Sequence, residues 1–282
     1  MSRDPSLNGS SGTSRRSFLK TTALAAAAGS LSVARGAHAA GDDVLKVGLV
    51  GCGGRGTGAA VNALNADPGV RIVALGDAFD DRLQSARASL GKRDAERATV
   101  ADDNCFVGFD AYQKVIDSGV DVVLLGTTPH FRPQHIKACI DAGKHVFCEK
   151  PMGVDAPGVR SVMASAKAAD EKGLSIVSGF CWRRHPAVQA TMQKVLDGAI
   201  GEVLSIQETY LTGTLWHRGR KPEDTEMVYQ MRNWYYFDWL SGDFNTEQHC
   251  HSLDKASWAM GDKPPVRAWG LGGRQVRTEQ PK

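Results

Sequence analysis

A glycine-rich turn set between a buried strand and a helix constrains this chain more than any other feature. VLKVGLV (44–50) is a near-continuous apolar run, GAAVNALNAD (58–67) has helical spacing, and Gly51-Cys52-Gly53-Gly54-Arg55-Gly56 joins them. Gly51 permits the tight reversal, Gly53 with Gly54 beside it lets backbone approach a pyrophosphate, and Gly56 lets helix and strand pack closely. The helix N-terminus adds N–H groups for the phosphates. The motif alone is a weak signal. Here a second strand, VRIVALGD (70–77), ends in Asp77, 21 residues beyond Gly56, where a carboxylate can accept both hydroxyls of an adenosine ribose. That acid, followed by Ala78 and not by an arginine, points to NAD and away from a 2'-phosphate.

The alternation continues through the charged helix DRLQSARASLGKR (81–93), DVVLLGTT (121–128), the helix PQHIKACIDAG (133–143), HVFCE (145–149), a helix over about 156–172, and LSIVSGF (174–180). Strands separated by helices imply an α/β fold, here a doubly wound parallel Rossmann sheet over 44–181. Beyond Trp182 the pattern predicts a helix over 186–199, a long alternating strand over 202–211, a polar loop with two turn or helix pieces over 212–233, a helix over about 246–260 and a strand starting at Val266. Residues 182–282 therefore read as the first part of an α/β substrate and oligomerisation domain with an incomplete open sheet. Half a sheet would leave unpaired edges and an uncovered apolar face.

The first 39 residues have a different character. Ser14-Arg15-Arg16-Ser17-Phe18-Leu19-Lys20 precedes an alanine-rich stretch and then Ala37-His38-Ala39, a small-x-small cleavage pattern. Together they resemble a twin-arginine signal peptide, which implies the Tat export machinery as a partner and a periplasmic destination. The other reading is a basic leader that happens to hold two arginines. Its apolar run is too short to be a membrane span, which needs about 20 residues. Five basic residues and one acid sit in this leader, so the rest of the chain carries 29 basic against 30 acidic residues. Such a balance gives no reason to expect nucleic acid or an anionic membrane as a partner. Six scattered cysteines without a CxxC pair predict no disulfide framework.

Two further motifs fall at the carboxyl ends of strands, the edge at which open parallel sheets bind ligands. Thr127-Thr128-Pro129-His130 follows DVVLLG, and Glu149-Lys150-Pro151 ends HVFC. By strand count Lys150 lies near the nicotinamide, where an ammonium can hold a substrate hydroxyl or share in its proton transfer. A solvated strand-end lysine is the ordinary alternative.

GLVGCGGRG, Asp77, TTPHFRPQH and EKP, in this order and spacing, resemble the glucose-fructose oxidoreductase, inositol dehydrogenase and MocA family over residues 44–282. The resemblance implies a catalytic Lys150, often with a cis bond to Pro151, and a cofactor bed of Gly51, Gly53, Gly54, Gly56, Asp77, Thr127, Thr128, Pro129, His130, Glu149 and Lys150. It also implies a longer protein and a homo-oligomer at full length. The family's D-x-G-x-H-x-x-D signature is matched here by Glu247-Gln248-His249-Cys250-His251-Ser252-Leu253-Asp254, with glutamate for the aspartate and histidine for the glycine. Glu247, His251 and Asp254, spaced i, i+4 and i+7, share a helical face, so Glu247 and His251 can relay a proton while Lys150 and Asp254 hold substrate. Zinc on Glu247, His249 and His251 is disfavoured, because helical spacing turns His249 away. Arg183, in a segment like the family's G-x-x-x-R-x-x-P, is expected near cofactor or substrate. The ring cluster Trp234–Trp239 reads mostly as an interface.

The activity so implied is an exported NAD-dependent oxidoreductase acting on a secondary hydroxyl of a sugar, polyol or derivative, with a tightly held cofactor and no metal. A redox-neutral NAD-dependent glycosidase and a non-catalytic NAD-binding protein are the alternatives.

Overall fold

The computed structural model describes residues 44–213 and 215–273, so the expected leader lies outside the described residues. Six parallel strands form one sheet in the order β3-β2-β1-β4-β5-β6: β1 Leu45–Val50, β2 Val70–Asp77, β3 Cys105–Val107, β4 Val122–Leu125, β5 His145–Cys148 and β6 Ile176–Ser178. The Rossmann sheet expected from the alternation is present, with one strand more. β3 is only three residues long, too short a run to read as a strand, so its place comes from pairing with β2, Leu75 opposite Cys105.

Five helices cover the sheet: α1 Gly54–Ala66, α2 Asp80–Arg93, α3 Ala111–Asp117, α4 Arg132–Asp141 and α5 Ala156–Lys172. The central strands are largely buried on both faces, which explains their lack of polar alternation. Val47, Leu49, Ile72 and Leu75 pack with Leu64, Leu83 and Leu90 in one core cluster. Val50, Ala74, Val123 and Leu125 pack with Ile136, Ile140 and Val146 in the other. Local chemistry sets the ends of α5. Asp155 accepts a hydrogen bond from the Gly158 amide at 2.7 Å, and Gly173 closes the helix at φ +68°.

The chain crosses from β3 at one edge to β4 beside β1. Strand order therefore reverses between β1 and β4, and the loops after them, at Gly51 and Gly126, open a crevice at the carboxyl edge.

After β6 the chain forms α6 Pro186–Leu196, α7 Glu226–Arg232, a helical turn over Asp238–Ser241, a π-helical turn over Asn245–His249, and α8 Cys250–Ala259. The strands expected over 202–211 and from Val266 are not formed. Leu204, Leu211 and Trp269 are 85%, 91% and 84% exposed. A strand exists only through a ladder to a neighbour, and among the described residues nothing pairs with either stretch. No described helix is long and apolar enough to cross a membrane. All six cysteines are free.

Candidate dinucleotide and active site

Gly51 leaves β1 at φ +93°, and a Cβ built on it would lie 2.5 Å from the Gly126 carbonyl carbon. A Cβ on Gly56 would fall 1.9 Å from the Gly51 oxygen, so α1 reaches this depth only with glycine at that position. At Gly53 and Gly54 a Cβ would meet no described atom within 4 Å. The backbone there is bare toward the crevice. No side chain caps α1, and its first turn holds no acid. Open backbone at an uncapped helix N-terminus fits the diphosphate of a dinucleotide.

From this turn a cavity of about 490 Å³ runs past Asp77 to Phe109 and Tyr112. Asp77 is fixed by two amides: Cys52 N–H donates to Oδ2 at 2.6 Å and Phe79 N–H to Oδ1 at 2.8 Å. Each oxygen keeps acceptor capacity for a ribose hydroxyl. Burial pushes the carboxyl above its ordinary range, and the two amide donors pull the other way. Ala78 supplies no charge, but Arg82, Arg218 and Arg232 line the same cavity. Positive charge therefore reaches Asp77 from beyond the strand end, a feature the local sequence did not reveal.

Thr127 and Thr128 also line the cavity. Pro129 is buried, and His130 packs edge-on against Trp239 with ring centroids 5.1 Å apart. Arg132, 4% exposed, ties the two edge turns together by donating to the carbonyls of Thr127 and Pro151, each at 2.7 Å. Glu149 is buried too, and its Oε1 accepts from Arg55 Nε at 2.7 Å. The pair links the glycine-rich turn to the end of β5. A Cβ on Gly179 would lie 2.8 Å from Glu149 Oε2 and 3.1 Å from its Cα, so the backbone packs closely behind that acid.

The Lys150-Pro151 bond is cis. Lys150 Nζ contacts Glu247 Oε1 at 2.8 Å and also donates to the Glu247 carbonyl. Glu247 sits on the π-helical turn, a widened helix often found at functional sites. Burial raises its carboxyl, opposed first by the Lys150 charge. His251 follows on α8, its imidazole held below its ordinary value first by burial and then by the Lys150 charge. Among the described residues, Glu247 Oε2 and His251 Nδ1 are buried without a hydrogen-bond partner. Two unspent polar atoms thus sit beside a paired lysine at the ligand edge of the sheet. Among the described residues, no three His, Cys, Asp or Glu side chains gather as a metal ion would require.

Residues 45–180 match the family described as "Oxidoreductase family, NAD-binding Rossmann fold" (GFO_IDH_MocA). This segment has the NAD-binding Rossmann fold and is similar to that family. The chain is similar to a myo-inositol 2-dehydrogenase of Thermotoga maritima, 25% identical over 78% of this chain and 56% of that protein. It is also similar to an inositol 2-dehydrogenase of Rhizobium meliloti, 28% identical with the same coverage. Its fold resembles the WlbA dehydrogenase of Bordetella pertussis, solved with NADH and UDP-GlcNAcA, at a TM-score of 0.56 and 22% identity over 77% of this chain and 56% of that one. The chain thus spans about 56% of the length of each.

Within the Rossmann domain the structure gathers Gly51, Gly53, Gly54, Asp77, Thr127 and Thr128 around one cavity, with Gly56 packed beneath. Lys150, Glu247 and His251 form a second group. Arg183 and Asp254 are engaged with each other. Arg183 Nε lies 3.0 Å from both Asp254 oxygens, and its guanidinium also contacts Asp262 at 2.7 Å. These ion pairs fasten the chain after β6 to α8, and they hold the guanidinium well above its usual pKa. The residues missed are Arg55, Arg132 and the cavity arginines. A buried arginine that bonds carbonyls leaves no periodic trace in a sequence, although Arg132 stood inside the quoted TTPHFRPQH.

Proposed function

We propose that this protein is an exported NAD-dependent oxidoreductase that oxidises a secondary hydroxyl of a sugar, polyol or derivative while keeping its cofactor bound. The observation that carries the chemistry is the Lys150–Glu247 contact of 2.8 Å beside an unpartnered His251 Nδ1, at the sheet edge that also holds the glycine-rich turn. The relatives named for inositol support a polyol-like substrate. The order Arg15-Arg16, apolar stretch, Ala37-His38-Ala39 supports export.

Bound NAD supplies the acceptor for a hydride from the carbinol carbon. Glu247 fixes the Lys150 ammonium through one carboxylate oxygen and leaves the other to accept a substrate hydrogen bond. Lys150, so placed, donates to the hydroxyl oxygen that becomes the carbonyl. His251, kept neutral, takes the hydroxyl proton. Burial and the Lys150 charge both favour the neutral His251 ring that the last step needs.

The test is a single-turnover experiment on the full-length protein loaded with NAD, following NADH absorbance against a panel of inositols, aldoses and their derivatives. At least one is expected to reduce the cofactor. Lys150→Ala is expected to slow that reduction by about 10²–10⁴-fold, the range for a positioned acid–base group, with NAD affinity within about twofold. Lys150→Ala with near-normal turnover, or cleavage of glycosides without net NADH, would sink this assignment.

A further inference from the structure

The cavity beside Asp77 is not built by the Rossmann domain alone. Trp216, Arg218 and Arg232 line it too, and they come from the polar stretch between β6 and the π-helical turn. We propose that residues 215–218 are a preorganised cap over the adenosine half of the dinucleotide site, with Trp216 and Arg218 as its contacting side chains. This deepens the reading of a tightly held cofactor and rests on it.

Segments without regular structure are ordinarily mobile, because water competes for their backbone groups. This one is fastened. Asn233, fully buried, accepts from the Arg218 amide at 2.8 Å and donates to the Arg218 carbonyl at 3.0 Å, a pair of bonds a neighbouring strand would otherwise supply. Arg218 Nη1 donates to the Arg232 carbonyl at 2.7 Å, and the Tyr236 hydroxyl to the Leu215 carbonyl at 2.9 Å. The support is anchored in turn to the Rossmann domain. Arg232 grips Asp81, in the first turn of α2, with a nitrogen on each oxygen at 3.0 and 2.9 Å, and its guanidinium stacks on Phe79 at 4.2 Å. Asp81 and Phe79 flank the end of β2 that carries Asp77. The cap is therefore held in register with the residue that meets the ribose.

Its chemistry suits the ADP portion. The Arg218 guanidinium lies 4.4 Å over the Trp216 ring, which leaves a flat aromatic and cationic surface of the kind on which purines stack. Arg82, which lines the same cavity, makes no side-chain hydrogen bond or ion pair among the described residues. Burial and then the charges of Arg82 and Arg232 push the Arg218 guanidinium below its ordinary pKa. An anionic group relieves that crowding. Trp216, 38% exposed although clustered with Trp234 at 6.0 Å, has apolar surface left to cover.

The experiment uses the full-length protein, measuring NADH release by displacement with excess NAD, and the binding of ADP-ribose and of nicotinamide mononucleotide by calorimetry. Trp216→Ala and Arg218→Gln are each expected to speed NADH release about tenfold, the value of one base stack, and to weaken ADP-ribose to a similar degree. Nicotinamide mononucleotide should be unaffected. The Trp216→Phe variant, which keeps a ring, should restore most of the loss and controls for folding. Release and ADP-ribose binding within twofold of wild type in both variants would overturn the cap, as would equal weakening of the two fragments. Fast NADH release by the wild type would instead refute retention, and the ratio of variant to wild type would still decide the cap.

Discussion

At His251 burial acts first and the Lys150 ammonium second, and both favour the neutral ring. The folded-state value therefore lies below the roughly 6.5 of a free imidazole. A base must be neutral to accept a proton, so oxidation should hold steady down through pH 6.5 and fall only beneath it. In His251→Asn that acid limb should vanish together with most of the rate. A limb that stays in place would assign the proton to another group. His135 shifts the same way, to about 4, through burial and the nearby Arg132. For both rings the unfolded chain binds the proton at higher pH than the folded one, so stability rises with pH across the window below about 6.5 and is lost as pH falls through it. Glu247 has the opposite sign, because its folded carboxyl is raised. Melting curves between pH 4 and 7 should show the histidine direction, and replacing His135 by a neutral ring should flatten it.

The elements show why some of this was legible in sequence and some was not. β1, β2 and α1 could be read because a buried parallel strand must be apolar throughout and the turn between β1 and α1 admits only glycine at Gly51 and Gly56. Asp77 followed by counting. β3 could not be read, since three residues gain their strand conformation from a neighbour and not from their own pattern. The alternating stretch 202–211 failed for the converse reason: it has the pattern and no described partner. The spacing of Glu247, His251 and Asp254 suggested one helical face, yet Glu247 sits on a π-helical turn at 245–249 and Asp254 is engaged by Arg183. Pairing between remote charges is set by tertiary structure, which no local period encodes. Closeness of packing at the turn makes a direct prediction. Gly56→Ala would place a Cβ 1.9 Å from the Gly51 oxygen, so α1 must retreat from β1. The expected cost is at least the roughly 1–3 kcal/mol of an overpacked core, with NAD affinity lost in parallel. Denaturation and NAD titration of that variant check both, and an unchanged midpoint would show that the turn yields more easily than its geometry implies.

For the molecule as a whole, the proposed export leader and a site for a redox cofactor would impose a joint requirement. Hydride transfer consumes oxidised NAD at each cycle, and a protein acting outside the cytoplasm has no evident pool from which to replace it. The cofactor must then travel inside the folded protein, and its redox state must be reset in place by a second substrate or by the reverse of the same half-reaction. The proposed retention has two parts: backbone at Gly53 and Gly54 that is open to a diphosphate, and the proposed cap, carried by Arg232 and Asn233, on the adenosine side. Retention through many turnovers is a matter of slow release more than of fast capture. We therefore expect NAD(H) to remain with the full-length protein through gel filtration, detectable by absorbance and by mass spectrometry of the denatured eluate. Turnover with a pair of oxidisable and reducible substrates should proceed without added NAD. A protein that elutes empty, and whose rate follows the supply of fresh NAD, would break the link between the leader and the closed cofactor site.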